Sequence, residues 1–115
     1  MVDLFIQDTP TMGRGVFANK QFATGDTIEI CPAAVIGKVQ DIAPDVLALM
    51  KTYIFGWNDY VLICGGFGTF YNHSEIPNSS WVFDQDAATI TFTALSDINS
   101  GDQIFFDYGF TPSNP

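Results

Sequence analysis

Positive charge is scarce in this sequence. Only four residues are Lys or Arg, against 13 Asp and Glu, which leaves a formal net charge of −9. Proteins bind nucleic-acid phosphates largely through Lys and Arg, so we expect no direct contact with nucleic acid. A basic partner, such as a Lys/Arg-rich protein, is the better electrostatic match. Solubility alone is an equally simple explanation for the excess of acids.

Metal-binding side chains are also few, because the chain has two Cys and one His. A structural zinc site takes about four such ligands, so we expect no metal. Cys31 and Cys64 lack the CxxC spacing of a metal or redox motif. A disulfide between them stays open, but their spacing does not support one, and we therefore expect a reducing compartment, the cytoplasm.

Long apolar runs are absent too, since polar residues interrupt every stretch before it reaches the length of a membrane span. The opening residues include Asp3, where a secretory signal would carry basic residues, so neither membrane insertion nor secretion is expected. The chain does have 47% hydrophobic and 15% aromatic residues, enough for a folded core. Its 115 residues predict a single domain.

Glycine, proline and Asp/Asn turns divide the chain into short apolar segments, a pattern typical of a mostly-β domain. The segment from Thr89 to Ala94 alternates most clearly, with Ile90, Phe92 and Ala94 predicted to share one face. The other predicted strands lie at Leu4–Ile6, Val16–Ala18, Thr27–Ile30, Val61–Cys64, Trp81–Phe83 and Gln103–Phe106.

Two elements carry more specific expectations. The strand that starts at Thr27 runs on to Ile36, and Pro32 within it predicts an edge strand or a bend. An open edge near Cys31 would suit a homodimer. Asp45 to Phe55 is the one predicted helix, and the residues spaced i, i+3, i+4 and i+7 on its inner face are Val46, Leu49, Met50 and Tyr53.

Three segments carry residues suited to a ligand site. Gly13-Arg14-Gly15 has two glycines, which let a backbone turn tightly and approach a ligand closely. Asn72-His73-Ser74, followed by Pro77-Asn78, offers an amide that donates and accepts and an imidazole with two distinct nitrogens. The run from Gly101 to Gly109 reads GDQIFFDYG. Taken singly, each segment also fits an ordinary turn or the end of a strand.

In this order, the three segments resemble the SET domain family, whose pattern opens with GxG-V-x-A, continues with NHSxxPN and closes with G-[ED]-E-[IL]-x-F-D-Y-G. The chain is similar to the compact SET proteins of viruses, phages and bacteria. The resemblance implies a β-clip-like fold of small curved sheets with one short helix. It also implies a C-terminal pseudoknot, in which Asp107-Tyr108 passes by Asn72-His73.

The resemblance further implies a single SET domain over residues 1–115, without a flanking zinc-binding pre- or post-SET segment. Its activity would be that of a protein-lysine N-methyltransferase that uses S-adenosylmethionine and no metal. The substrate would be a basic, histone-like protein. If the chain is viral, the host nucleus or cytosol joins the cytoplasm as an expected location.

Six residues match the family's cofactor site: Gly13, Arg14, Gly15, Tyr53, Asn72 and His73. The basic Arg14 could meet the carboxylate of the cofactor. Tyr53 stands in a Tyr-Ile-Phe run, and in many members the tyrosine of such a run reaches the cofactor. Packing of the helix against the core explains Tyr53 as well.

Tyr108 matches the family's catalytic tyrosine. A lysine amine must be neutral to accept a methyl group, and with a pKa of ~10.4 its deprotonation at pH 7 costs about 4–5 kcal/mol. Burial in a dry channel lowers that pKa, so no dedicated base is required. Alignment is then the main requirement, worth roughly 7–11 kcal/mol for a well-placed pair. The Tyr108 hydroxyl could orient the amine.

Phe106, two residues before Tyr108, would line the substrate channel with it. A phenylalanine there has no hydroxyl to restrict a methylated amine, which points to di- or trimethylation. Alternation also places Phe106 on the same face of its strand as Ile104, so core packing and a channel wall are both open.

Two departures from the family keep an alternative open. Many members have Tyr-x-Gly after the third strand, where this chain has Ile30-Cys31-Pro32-Ala33. Many eukaryotic members close the site with a cysteine-rich zinc segment after the closing motif, but Phe110 to Pro115 contain no cysteine. Closure of the site would therefore fall to Phe110, to the substrate or to a second subunit. The alternative is a catalytically weak SET-like module that binds a basic peptide or the cofactor. An acidic mimic of nucleic acid is disfavoured because only 15% of residues are charged.

Overall fold

The computed structural model describes residues 3–109, so Phe110 and the rest of the segment considered for closing the site lie outside the described residues. Strands dominate the fold, as the sequence predicts. The elements are β1 Leu4–Thr9, β2 Gly13–Ala18, β3 Thr27–Lys38, α1 Pro44–Met50, β4 Phe55–Trp57, β5 Tyr60–Cys64, β6 Asn72–His73, β7 Ser79–Asp84, β8 Thr89–Ala94 and β9 Gln103–Phe106, with 3₁₀ turns at Val39–Asp41 and Gly68–Phe70.

The smaller sheet brings the three motif segments together. Its strand order is β1-β2-β9-β6. The β1–β2 and β2–β9 pairs are antiparallel, whereas β6 runs parallel to β9, with Asn72 opposite Phe105 and His73 opposite Phe106. The chain that leaves β9 therefore passes directly beside Asn72-His73. This confirms the predicted crossing.

Asn78, from the Pro77-Asn78 pair of the second motif, stabilises the crossing through hydrogen bonds to β9. Its Nδ2 donates to the Gln103 carbonyl (2.9 Å), and its Oδ1 accepts the Phe105 N–H (2.8 Å). Ser79 adds a hydrogen bond from Oγ to the Phe105 carbonyl (2.6 Å). The amide of Asn78 thus imitates a strand neighbour for β9. Its role in this structure is therefore structural.

The larger sheet has the order β4-β5-β3-β8-β7, with β3 at its centre. β3 pairs with β8 up to Pro32 and with β5 from Ala33 onward, so the prediction of an edge strand at Pro32 is wrong. The Pro32 carbonyl accepts the Gly65 N–H (2.7 Å) just beyond the end of β5. Pro32 thus lies one residue beyond the β3–β5 ladder, whose last pair is Ala33 and Cys64, and a missing N–H is tolerated at the end of a ladder. The homodimer stays a prediction, without an open edge at this position.

One core cluster joins the two sheets. From β8, Ile90 and Phe92 are fully buried and Ala94 is 2% exposed, which confirms the predicted alternation. The smaller sheet contributes Val16 and Ile104, both fully buried. Burial of apolar surface in a single cluster holds the two sheets together and fixes where the crossing lies relative to β3 and β8.

The helix is shorter than predicted and does not bury the predicted face. α1 ends at Met50 and contains no fully buried residue. Val46 is 43% exposed and Leu49 81% exposed. The helix instead turns Leu47 and Ala48 toward a groove on the sheet side.

The residues after α1 explain the error. The chain leaves the helix through a turn and enters β4, where Phe55 is 4% exposed. Tyr53 lies in that turn and is 58% exposed. A helical spacing of apolar residues predicted a third helical turn, but the chain buries Phe55 as part of a strand instead.

Two further findings concern the chain as a whole. No helix within residues 3–109 is long and apolar enough to cross a membrane. Cys31 and Cys64 are both buried and both free thiols, so the open question of a disulfide is answered for this structure.

Candidate active site

The crossing places Gly15, Asn72, His73 and Gln103 side by side, and we call these residues the polar half of the site. Asn72 Nδ2 donates to the Arg14 carbonyl (3.0 Å) and to Gln103 Oε1 (2.9 Å). Both amide hydrogens are thus used by the protein, and Oδ1 is the remaining polar atom of the side chain. An amide held in this way presents an acceptor of fixed direction.

Gly15 makes room for this pair. A Cβ at position 15 would lie 2.4 Å from Gln103 Oε1 and 2.9 Å from Asn72 Nδ2, so any side chain there would displace both. Gly13 differs, since a Cβ there would meet nothing within 4 Å, although its φ of +70° favours glycine. The hairpin explanation therefore suffices for Gly13, and close packing beside Asn72 explains Gly15.

His73 has one nitrogen that is satisfied and one that is not. Its Nδ1 accepts the Tyr108 N–H (2.9 Å), so the neutral ring carries its proton on Nε2. That Nε2 is buried and has no hydrogen-bond partner among the described residues. The side chain is only 9% exposed. A buried donor without a partner is unfavourable by itself and marks a position where a ligand's acceptor atom would be stabilised.

Arg14 lies at the solvent side of the polar half. Its guanidinium is 3.9 Å from the Asp8 carboxylate, and both side chains are largely exposed. An exposed ion pair of this kind contributes little stability. Arg14 is therefore available to an anionic group without loss of a strong internal contact.

Tyr71, Phe106 and Tyr108 form the aromatic half of the site. The Tyr108 hydroxyl donates to the Tyr71 carbonyl. The Tyr108 ring centroid lies 4.9 Å from that of Phe106 and 5.2 Å from that of His73. Tyr108 thus connects the two halves, because its N–H is bonded to His73 and its O–H to Tyr71.

The ionisation of Tyr108 limits what it can do. Burial, reinforced by the neighbouring Tyr53, raises the pKa of Tyr108 to about 12. The phenol is therefore protonated at neutral pH and cannot serve as a tyrosinate base. With its hydrogen on the Tyr71 carbonyl, its oxygen can accept a hydrogen bond from an amine.

Phe106 and Tyr53 occupy different environments. Phe106 is 7% exposed and stacks on Phe55 at 5.4 Å, so it is a core residue that also contacts Tyr108. Tyr53 is 58% exposed and is close enough to influence the ionisation of Tyr108. The channel role of Phe106 and the cofactor role of Tyr53 stay predictions.

Tyr108 also lines an open groove of about 410 Å³. The other walls come from α1, the segments on either side of it, β4 and β5, and are mostly apolar: Val39, Pro44, Leu47, Ala48, Lys51, Ile54, Phe55, Gly56 and Val61. Within residues 3–109, no three or more His, Cys, Asp or Glu side chains are grouped so as to hold a metal ion.

Three residues of the site have no role in the sequence analysis. Gln103 orients Asn72 and stands where the family pattern has Glu, so the pattern could have indicated it. Tyr71 precedes the Asn-His motif by one residue, and its carbonyl role depends only on the backbone. Glu29 accepts the Tyr71 hydroxyl, and its one sequence signal is an acid in an apolar strand.

Comparison with known proteins agrees with this geometry. The SET domain family model matches residues 13–109. The histone-lysine N-methyltransferase of Schizosaccharomyces pombe named as specific for H3 lysine-37 is 28% identical over 107 residues, which cover 92% of this chain and 73% of that protein. A crystal structure of a candidate histone methyltransferase of Plasmodium falciparum superimposes with a TM-score of 0.73 at 27% identity, covering 96% of each chain.

The fold is thus of the kind found in histone methyltransferases. The chain belongs to the SET domain family. Membership supports lysine methylation as the class of activity and a mostly-β domain with a C-terminal crossing as its architecture.

Proposed function

We propose that this protein transfers methyl groups from S-adenosylmethionine to a lysine side chain of a basic, histone-like protein. The observation that carries the proposal is the double attachment of Tyr108, through its N–H to His73 and through its O–H to the Tyr71 carbonyl. This attachment places one hydroxyl at the junction of a polar half suited to ligand binding and an aromatic half suited to an aliphatic amine.

The polar half fits the amino-acid part of the cofactor. Asn72 Oδ1 can accept from an ammonium group, and the exposed Arg14 guanidinium can bind a carboxylate. The buried His73 Nε2–H has no acceptor among the residues that the structure describes. When bound, S-adenosylmethionine supplies an electrophilic methyl group on a positively charged sulfur. The protein's contribution is to bind this group and to exclude water around it.

The aromatic half fits the lysine. The Tyr108 oxygen can accept one N–H of an unmethylated or monomethylated neutral amine, which orients the nitrogen lone pair toward the methyl carbon. A dimethylated amine has no N–H, so a third transfer would depend on the aromatic walls alone. In each transfer the new nitrogen–carbon bond would form as the sulfur–carbon bond breaks, and in the first two the surplus proton would leave the nitrogen for solvent. We assign Phe106 and Tyr108 to the wall of the amine channel and expect di- or trimethylation.

Charge supports a basic substrate. A net charge of −9 favours encounter with a Lys/Arg-rich segment, and the apolar groove beside Tyr108 offers a surface for its aliphatic atoms. The fission-yeast relative, named for histone H3, favours a histone-like tail. We place the activity in the cytoplasm or, for a virus-encoded chain, in the nucleus or cytosol of the host.

Calorimetric titration with S-adenosylmethionine, followed by a labelled-methyl assay on an array of lysine peptides, tests the proposal. We expect saturable binding and labelling of basic peptides. Binding without transfer would identify the alternative, a catalytically weak module, which the non-aromatic Ile30-Cys31-Pro32-Ala33 segment would favour. No heat of binding at millimolar cofactor to folded protein would contradict both.

A further inference from the structure

Glu29 is a charged residue that β3 turns into the interior. The register between β3 and β8 shifts between Thr27 and Glu29, so Ile28 is the extra residue of a β-bulge. After the bulge, Glu29 lies opposite the fully buried Phe92 and therefore on the inward face of the sheet. Bulges beside functional sites often redirect one side chain in this way.

Both oxygens of the carboxylate are engaged. Glu29 Oε1 accepts the Tyr71 hydroxyl (2.7 Å), and Oε2 accepts the Phe67 N–H (2.9 Å). The loop closes tightly around this group, since a Cβ on Gly66 would lie 2.4 Å from Oε2. Among the described residues no Lys, Arg or His lies within ion-pair distance of Glu29. A partly buried carboxylate without a cation is unfavourable unless hydrogen bonds compensate for its lost hydration, so the Tyr71 and Phe67 donors are what stabilises Glu29 here.

Tyr71 connects the carboxylate of Glu29 to the hydroxyl of Tyr108. Tyr71 is 1% exposed and its ring stacks on Phe92 at a centroid distance of 4.3 Å. Stacking fixes the plane of the ring, and the bond to Glu29 fixes the direction of its hydroxyl end. At the other end of the same residue, the backbone carbonyl accepts the Tyr108 hydroxyl.

We propose that Glu29 is a positioning residue that holds Tyr71 so that the Tyr71 carbonyl fixes the direction of the Tyr108 hydroxyl. The inference rests on the proposed function, because the position of that hydroxyl matters most if Tyr108 aligns an amine. Glu29 does not touch the reacting atoms. It acts through the hydrogen bond to Tyr71 and through the carbonyl of the same residue.

The test variant is Glu29→Gln. Glutamine keeps the size of the side chain, but its NH₂ group cannot accept a hydrogen bond, so either Tyr71 or Phe67 loses its acceptor. Asp97→Asn is the matched control. Asp97 also accepts one backbone N–H and one hydroxyl, both from Thr24, at 2.8 and 3.0 Å, and it lies outside the site.

One readout does not depend on activity. With tyrosines carrying ¹³C at the hydroxyl-bearing carbon, the four resonances can be assigned with Tyr→Phe variants. We expect Glu29→Gln to move the resonances of both Tyr71 and Tyr108, and Asp97→Asn to move neither. A folded Glu29→Gln protein whose Tyr108 resonance is unmoved would overturn the inference, whatever its activity.

The second readout is kinetic. We expect Glu29→Gln to lower kcat roughly 10- to 100-fold, as small misplacements of an aligning group do. The KM for peptide and the Kd for cofactor should stay within about twofold, because ligand contacts are unchanged. A moved Tyr108 resonance with unchanged kcat would overturn the positioning role. If Glu29→Gln moves the Tyr108 resonance but the wild-type protein transfers no methyl group, the proposed function is overturned. The coupling of Glu29 to Tyr108 is supported in that case.

Tyr71→Phe provides a second route to the same link if Glu29→Gln does not fold. It removes the hydroxyl that Glu29 accepts but keeps the stacked ring, and the backbone carbonyl that accepts the Tyr108 hydroxyl loses its link to Glu29. We expect the same displacement of the Tyr108 resonance and the same fall in kcat. A Tyr108 resonance unmoved by Tyr71→Phe would overturn the inference equally.

Discussion

The two halves of the site differ in what they leave unsatisfied. In the polar half, the Asn72 amide donates both of its hydrogens to the protein, and His73 Nε2 is buried with no hydrogen-bond partner in the described part of the chain. In the aromatic half, the hydroxyls of Tyr71 and Tyr108 both have acceptors within the protein. The polar half is therefore completed by a ligand, whereas the aromatic half is ordered before any ligand arrives. We expect the first to govern binding and the second to govern turnover.

Tyr108→Phe gives the largest expected effect and tests the aromatic half. The hydroxyl acts mainly in the transition state, so kcat should fall by about 10²–10³-fold, or roughly 3–4 kcal/mol. Calorimetry should show the affinity for S-adenosylmethionine nearly unchanged. Tyr60→Phe, on β5 beside Trp57, is the control and should keep its activity. Near-normal turnover in Tyr108→Phe would remove this tyrosine from the mechanism.

Asn72→Ala tests the polar half. It removes the oriented acceptor and frees Gln103, so cofactor binding should weaken by ~1–3 kcal/mol. At saturating cofactor, kcat should change much less than in Tyr108→Phe. Asn99→Ala, an exposed site in a turn, serves as the control. If Asn72→Ala lowers kcat without weakening binding, the division of labour between the halves is wrong.

Phe106→Tyr sharpens the comparison inside the aromatic half. The ring is 7% exposed and contacts Tyr108, so a new hydroxyl must find a partner near the amine channel or disturb the packing on Phe55. We expect mass spectrometry of a methylated peptide to show di- or trimethylation by the wild type and a shift toward monomethylation in the variant. Strict monomethylation by the wild type would contradict the channel role of Phe106.

Alkaline pH gives the smallest effect and tests how strongly the aromatic half holds its protons. Burial raises the pKa of Tyr108 to about 12, and burial together with Glu29 raises the pKa of Tyr71 as well. A raised pKa favours the protonated native state, so this stability is complete below about pH 10, the ionisation range of an unfolded tyrosine, and is lost as pH rises toward 12.

Thermal unfolding followed by circular dichroism from about pH 8 to about pH 11 measures this loss. The Tm should fall with rising pH for the wild type and less steeply for Tyr108→Phe, which lacks one of the two phenols. Parallel curves for the two proteins would show that Tyr108 is not held in its protonated form.

How much of this could be predicted depends on how local each feature is. The alternation of Ile90, Phe92 and Ala94 is a property of neighbouring residues, and the structure confirms it. The apolar spacing predicts a helix in the right region but extends its C-terminal end beyond Met50, because the spacing does not reveal where the chain must turn to bury Phe55. Pro32 predicts an edge strand or a bend because its missing N–H is visible in the sequence, whereas the end of β5 is not.

The features of the site also separate into those that the sequence motifs predict and those that depend on tertiary contacts. Motifs in the right order predicted that Asn72-His73 and Asp107-Tyr108 would meet, and the crossing confirms it. The partners of these residues could not be predicted. Gln103 holds Asn72 through a packing made possible by Gly15, and Tyr71 receives the Tyr108 hydroxyl through a backbone atom that carries no sequence signal.

By itself, the sequence determined the family, the succession of strands and the identity of the residues at the crossing, because these depend on ordered motifs and short-range patterns. Only the tertiary structure decided that His73 Nε2 has no hydrogen-bond partner within residues 3–109 and that Glu29 reaches Tyr71. Both depend on segments tens of residues apart meeting at hydrogen-bond distance. A one-residue bulge in β3 decides the second, because without it Glu29 would point to the opposite face of the sheet.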